Sequence, residues 1–135
     1  MQSAADRPAP SGVNQDTPRP GKPVRGSRSG RPMMAALDLL GQRWMLRVIW
    51  ELQQQPAGFR ELRRRADEMS SSVLATRLRQ LTELGIARAD PDGVYRLTEL
   101  GDGLRPALDP LRDWAQRWSA TLDEDEPSAA STSDR

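Results

Sequence analysis

Apolar residues begin to recur at helical spacing at Met33. Residues 33–40 predict a short helix, with Gly41 placed to stop it. Residues 42–55 predict a second. In it Met45, Val48, Ile49 and Leu52 share one face, while Leu46 and Trp50 line another. A helix apolar on most sides is usually a buried one. Pro56 and Gly58 end it. Residues 59–66 predict a short third helix through Phe59, Leu62 and Ala66, followed by the polar turn Asp67-Glu68. Residues 71–84 predict a fourth, along which Leu74, Leu78, Leu81 and Leu84 stack. Ser70 suits its N-cap and Gly85 its end.

The pattern then changes. Ile86–Asp90 and Val94–Thr98 predict two strands joined by Asp90-Pro91-Asp92-Gly93, a turn-forming sequence. Thr98 suits the cap of a last helix. Along that helix Leu104, Leu108, Leu111, Ala115, Trp118 and Leu122 recur at spacings of four and three, a seam that favours helix-on-helix packing. Pro110 falls inside it and is expected to kink it. The order is helix, helix, helix, short turn, helix, hairpin, helix. It describes a mainly α fold with a small β-hairpin wing, a winged helix-turn-helix with flanking dimerisation helices.

The fourth helix is the natural candidate for chemistry. At about 100° per residue, Leu74, Leu78 and Leu81 fall within a narrow arc, and Ser72, Thr76 and Arg79 fall opposite, flanked by Ser71 and Ala75. Small residues let a helix approach base edges closely. Ser and Thr hydroxyls bond phosphates or bases, alanine can touch a thymine methyl, and Arg79 can reach guanine or a phosphate. Ser71, Ser72, Ala75, Thr76 and Arg79 are therefore the expected recognition residues. An ordinary solvated helix face would look much the same. Arg60, Arg63, Arg64 and Arg65 sit on the preceding short helix, the element expected to cross the phosphate backbone. The alternative pairs them with Glu61, Asp67 and Glu68, but exposed pairs contribute only about 0–1 kcal/mol. Arg77 lies beside the leucine stripe and is expected to serve structure. Trp44, Trp50, Trp114 and Trp118 occupy helical registers, as core or interface residues do.

Composition narrows the field. The 135 residues suffice for one compact domain. The net charge is +1, and 19 of the 20 basic residues are arginine, Lys22 being the one lysine. Arginine suits bidentate contact with phosphate and guanine; codon bias in a GC-rich genome gives the same excess. There is no cysteine and no histidine. Disulfides, thiol redox chemistry and the usual zinc ligands are thereby excluded, as is the commonest general base. No metal or cofactor is expected, and no catalytic constellation is left to support an enzyme. No apolar run is long enough to span a membrane, and no signal core opens the chain, so the cytoplasm is the expected location. Residues 1–31 carry six basic and two acidic groups in a Pro/Gly/Ser-rich stretch, expected as a disordered basic tail. Residues 123–135 are expected as a disordered acidic tail. The folded domain is expected over 32–122.

Several of these segments are familiar together. Ala36-Leu37-Asp38-Leu39-Leu40-Gly41-Gln42-Arg43-Trp44-Met45-Leu46 resembles the opening of HxlR-type regulators, bacterial transcriptional regulators of the MarR-like superfamily. Phe59-Arg60-Glu61-Leu62 resembles their Phe-x-Glu-Leu helix. Leu74-Ala75-Thr76-Arg77-Leu78-Arg79-Gln80-Leu81 resembles their recognition helix. Gly85-Ile86-Ala87-Arg88 and Tyr95-Arg96-Leu97-Thr98-Glu99-Leu100-Gly101 resemble the wing and the turn after it, and Leu111-Arg112-Asp113-Trp114 the last helix. The resemblance covers residues 33–118. It implies a homodimer on double-stranded DNA with two half-sites, joined through the first and last helices, here Met33, Leu37, Leu104, Leu108, Leu111, Trp114 and Trp118. It also implies a small-molecule effector. Arg60, Arg63 and Arg64 would contact the DNA backbone, with Arg88 and Arg96 beside the wing.

Three departures stand out. Many such regulators carry a cysteine near the first helix, and this chain has none, which excludes thiol-based sensing. The wing loop, Asp90 to Gly93, is short. Ser72 stands where a basic residue is common. A winged-helix protein-interaction module without DNA binding is the alternative function, favoured by the near-neutral charge and the short wing. The arginines of residues 60–65 argue against it. An effector pocket is expected between the last helix and the body of the domain.

Overall fold

A computed structural model describes residues 17–125. Six helices and one hairpin follow in order: α1 Pro32–Leu40, α2 Met45–Gln54, α3 Phe59–Arg65, α4 Ser71–Glu83, β1 Ala87–Ala89, β2 Tyr95–Leu97, α5 Glu99–Asp102 and α6 Arg105–Asp125. The core is built around α2, which packs against α1, α3, α4 and β2. Met45, Val48, Ile49 and Leu52 of α2 are buried together with Leu62 of α3 and Leu74, Leu78 and Leu81 of α4. The fold class read from the sequence is the one observed.

Local chemistry explains the boundaries of α4. The Ser70 hydroxyl accepts from the Val73 amide at 3.3 Å, satisfying one orphan donor of the first turn. At the other end Gly85 takes φ +77°. Its amide donates to the Thr82 carbonyl at 3.2 Å, and the Ile86 amide donates to the Leu81 carbonyl at 2.9 Å. These are the two bonds of a Schellman stop, and the left-handed backbone they need favours glycine. Ile86 is thus aimed straight into the hairpin.

The hairpin is antiparallel, with Ala87 opposite Leu97, Arg88 opposite Arg96 and Ala89 opposite Tyr95. The Asp90 amide donates to the Val94 carbonyl at 2.8 Å and the Gly93 amide to the Asp90 carbonyl at 2.9 Å, closing the turn. A third, one-residue strand was not foreseen. The Ala57 and Tyr95 backbones exchange hydrogen bonds of 3.1 and 2.9 Å, tying the α2–α3 link to the wing. A single paired residue leaves no alternation to detect in the sequence.

Three expectations need correction. The last helix is interrupted: α5 ends at Asp102 and α6 begins at Arg105. Gly101 and Gly103 lie within three residues of each other, and glycine weakens a helix interior. Gly101 is also pressed against Ile86. α6 then runs through Pro110 to Asp125, three residues into the segment expected as an acidic tail. Further upstream, residues 17–31, expected within the disordered tail, form a compact loop. Val24 and Ser27 pair, and the Gly21 amide donates to the Gly30 carbonyl at 2.9 Å. The Arg25 amide donates to Asp38 Oδ2 of α1 at 3.1 Å. Glycines at both ends of the loop and the Asp38 acceptor supply the bonds that composition alone hides. The rest of both expected tails, residues 1–16 and 126–135, lies outside the described residues.

The α3–α4 turn holds two consecutive non-glycine residues in the left-handed region, Asp67 at φ +59° and Glu68 at +56°. This conformation costs roughly 1–2 kcal/mol per L-residue. The turn persists because it is bonded from both sides. The Glu68 amide donates to the Arg63 carbonyl at 2.8 Å, and Arg63 Nε donates to the Met69 carbonyl at 2.7 Å. Glu68→Gly should therefore raise unfolding stability by about 1 kcal/mol, because glycine meets no steric penalty there. Urea denaturation checks this, and a variant less stable than the parent would contradict the strain.

Candidate nucleic-acid interface

The leucine edge of α4 is fully buried against α2, and this orients the helix about its own axis. Ser71, Ser72 and Ala75 are exposed and Thr76 is half-buried, so the N-terminal half of the expected recognition face is open to solvent. A helix-turn-helix reads bases with the N-terminal residues of its second helix. Ser72 is further oriented by Ser70, whose hydroxyl lies 3.1 Å away.

Arg79 differs from the expectation. It has the predicted angular position, but its side chain lines the crevice between α4 and the hairpin, together with Phe59, Leu78 and Tyr95. Its Nη1 is buried without a hydrogen bond, 3.6 Å from a Glu83 carboxylate oxygen. Strand β1 packs on α4, so position 79 faces the wing as much as solvent. A helical wheel cannot show this, because the wheel contains no wing.

The arginines of α3 divide by task. Arg63 braces the turn described above, with Nη1 3.3 Å from Glu68. Arg64 grips Glu61 in a fork, at 3.0 and 2.6 Å. Arg65 adds a third bond to Glu61 at 3.1 Å and donates to the Gln55 carbonyl at 2.9 Å. Arg60 is exposed and has no ion pair or hydrogen bond among the described residues. The alternative of carboxylate pairing is thus made for three of the four, and Arg60 remains a bare cation among the described residues. The Arg64 and Arg65 hydrogen bonds hold the Glu61 carboxyl below the usual range, and Glu61 in turn raises Arg64.

On the wing, Arg88 and Arg96 face each other across the strands. One carboxylate holds both: Asp90 accepts from Arg96 at 2.8 Å and from Arg88 at 3.3 Å. Like charges directly opposite on a ladder repel, so Asp90 makes the pair tolerable. Its role was missed in the sequence, although its place between the two arginines was the signal. Arg47 was missed as well. It donates to the Arg65 carbonyl at 2.7 Å, pairs with Glu51 at 2.9 Å and lies 3.5 Å from Asp67, so it closes the C-terminal end of α3. The Arg47–Glu51 spacing of four was the readable clue. Arg77 has the structural role expected of it, through neutral acceptors: it donates to the Arg43 carbonyl at 2.8 Å and to Gln80 Oε1 at 3.0 Å. Burial pushes its guanidinium below the ordinary value.

The residues expected at a dimer interface split into two groups. Leu104 packs on the core and Leu108 is buried in it, so both serve the single protomer. Met33 and Leu37 are 63% and 52% exposed. Leu111, Trp114, Trp118 and Leu122 form an exposed stripe along α6 at spacings of three, four and four. The indoles of Trp114 and Trp118 stack at 5.4 Å. The described residues contain no group of acidic side chains that could hold a metal and no helix long and apolar enough to cross a membrane.

A short helix, a bonded turn, a presenting helix with a bare polar face and a hairpin wing define a winged helix-turn-helix DNA-binding regulator. The chain belongs to the HxlR-like helix-turn-helix family, which matches residues 39–123. It is 30% identical over 89 residues to the HTH-type transcriptional regulator YvaP of Bacillus subtilis, covering 62% of this chain and 82% of that one. The structure of quinone-bound YodB of B. subtilis superposes with a TM-score of 0.59 at 32% identity, covering 63% of this chain and 94% of YodB. A chain of Thermoplasma volcanium described as a possible HxlR family transcriptional factor gives 0.58 at 26% identity, covering 66% and 85%.

Two measurements probe the arginine assignments. Arg60→Ala should lower the slope of log K against log salt for duplex DNA by about 0.9, the loss of one phosphate contact. An unchanged slope would remove Arg60 from the interface. In a pH titration followed by NMR, Glu61 should protonate below an ordinary glutamate, and Arg64→Gln should raise its midpoint. Because the folded value is depressed, whatever stability Glu61 adds is present above the unfolded carboxylate range and lost as pH falls through the folded value.

Proposed function

We propose that the protein acts as a homodimer on operators with two half-sites, each protomer placing the N-terminal half of α4 in a major groove. The observation that carries this reading is the bare face of Ser71, Ser72 and Ala75, held outward by the buried leucine edge behind it. Thr76 adds a hydroxyl at its margin. Arg79 completes the readout by swinging from its crevice, where its charged partner among the described residues is Glu83 at 3.6 Å. Arg60 grips a phosphate directly. Arg63 and Arg64, and Arg88 and Arg96 beside the wing, add backbone contacts by exchanging carboxylate partners for phosphate oxygens.

The exposed stripe Leu111, Trp114 and Trp118, with Met33 and Leu37 of α1, supports pairing with a second copy. Such a run of aromatic and aliphatic side chains is larger than the scattered apolar exposure normal on a monomer. A small-molecule effector controls occupancy. With no cysteine in the chain, it is sensed without a thiol adduct. The protein works in the cytoplasm on chromosomal DNA and has no catalytic role, in keeping with relatives that are transcriptional regulators.

Genome-wide mapping of the bound DNA, followed by gel shifts on the recovered sites, tests the whole. Recovery of sites with two-fold related half-sites is expected. Absence of any shift at low salt would favour the protein-interaction alternative. Arg79→Ala should cost about 1–3 kcal/mol on the cognate site if it reads a base. Trp114→Ala with Trp118→Ala should move the sedimenting species from dimer to monomer, and a dimer of unaltered stability would contradict the proposed interface.

A further inference from the structure

Opposite the DNA face, the 17–31 loop, α1, the α1–α2 link and one side chain of α4 enclose an open crevice of about 890 Å³. Its charged lining is one-sided. Arg19, Lys22, Arg25, Arg43 and Arg77 surround a single carboxylate, Asp38. Asp38 is already engaged, accepting from the Arg25 amide at 3.1 Å with the Arg25 guanidinium 3.8 Å away. Arg19, Lys22 and the guanidinium of Arg43 have no ion pair or hydrogen bond among the described residues. Cations brought together this way repel, and nothing in the described fold needs them there. The volume falls within the range of small-ligand sites.

We propose that this crevice binds a small polyanion, an organic metabolite bearing two or more carboxylate or phosphate groups. Four uncompensated positive charges call for more than one negative group. The side chain of Met34 supplies an apolar wall for the carbon skeleton. Arg77, desolvated and held by the Arg43 carbonyl and Gln80, is the fixed donor at the base of the crevice. Arg19, Lys22 and Arg25 belong to the loop and close from the other side.

The loop is built to hold that shape. Gly30 is buried at φ +74°, and a Cβ there would collide with the Lys22 carbonyl oxygen. Any other residue must push the Lys22 backbone away from the crevice. Duplex DNA is the weaker candidate for the same cations. Arg77 projects beside the buried leucine edge of α4, well over 100° around the helix from Ser72 at about 100° per residue. The crevice is also distinct from the expected place between the last helix and the body, since none of its lining residues belongs to the last helix.

The test uses the full chain, with sodium citrate and inorganic pyrophosphate as probes against sodium chloride of matched ionic strength. Thermal unfolding should show a saturable rise of about 5 °C or more at probe concentrations well above Kd, for one probe or both. Response to one alone would identify the anionic group. The triple variant Arg19→Gln, Lys22→Gln, Arg43→Gln should lose the response, while Arg117→Gln, on the far part of α6, should keep it. Gly30→Ala keeps every cation and distorts the loop, so it too should lose most of the response. Full response in Gly30→Ala would mean diffuse ion attraction and would overturn the proposal. So would the absence of a saturable shift with both probes, or a triple variant that keeps the full shift. Duplex binding by the wild-type chain, measured alongside, reports the DNA reading separately, since neither result requires the other.

Discussion

The burial of Leu74, Leu78 and Leu81 against α2 is the constraint on which the rest depends. All three are essentially removed from solvent, and together they fix both the position and the rotation of α4. A large-to-small change in such a row costs about 2–5 kcal/mol, a large share of a small domain's stability. Rotation matters as much as stability. One position of slip along the helix would turn the face by about 100° and carry the leucines out of the core towards solvent. The Ser70 cap and the Gly85 stop reinforce the same register from both ends.

A second theme is how tightly the arginines are accounted for. Asp90 serves Arg88 and Arg96, Glu61 serves Arg64 and Arg65, and Glu51 with Asp67 serves Arg47. These pairs lie near the surface, so each adds little to stability. They hold the cations in defined positions beside the presenting helix without the mutual repulsion a bare cluster would suffer. A phosphate can replace a surface carboxylate at modest cost, because both accept the same forked donors.

Much of this was legible in the chain. The helix order, the Ser70 and Thr98 caps, the Gly85 stop and the hairpin turn all follow from local rules, because each depends on residues within a few positions of one another. The outward angle of Ser71, Ser72 and Ala75 follows from periodicity alone. What escaped depends on distant partners. Arg79 looks free until the wing is placed over it. Leu104 and Leu108 continue the seam of α6 in sequence, yet both meet the core, one just before the helix and one in its first turn. The interruption before Arg105 needed the contact of Gly101 with Ile86. The loop at 17–31 has the composition of a tail, and only the acceptor on Asp38 and the space for Gly30 show how it is held.

The outer turns of α6 have a thermodynamic consequence. From Leu111 onward every described residue of the helix is exposed, and the indoles of Trp114 and Trp118 stack on each other. An isolated copy therefore keeps a large oily surface in contact with water, and the proposed pairing with a second copy would relieve it. Occupancy of any palindromic operator would then climb more steeply than first order in copy number. A cell could silence such a regulator by dilution alone, through growth and division, with no signal reaching the protein.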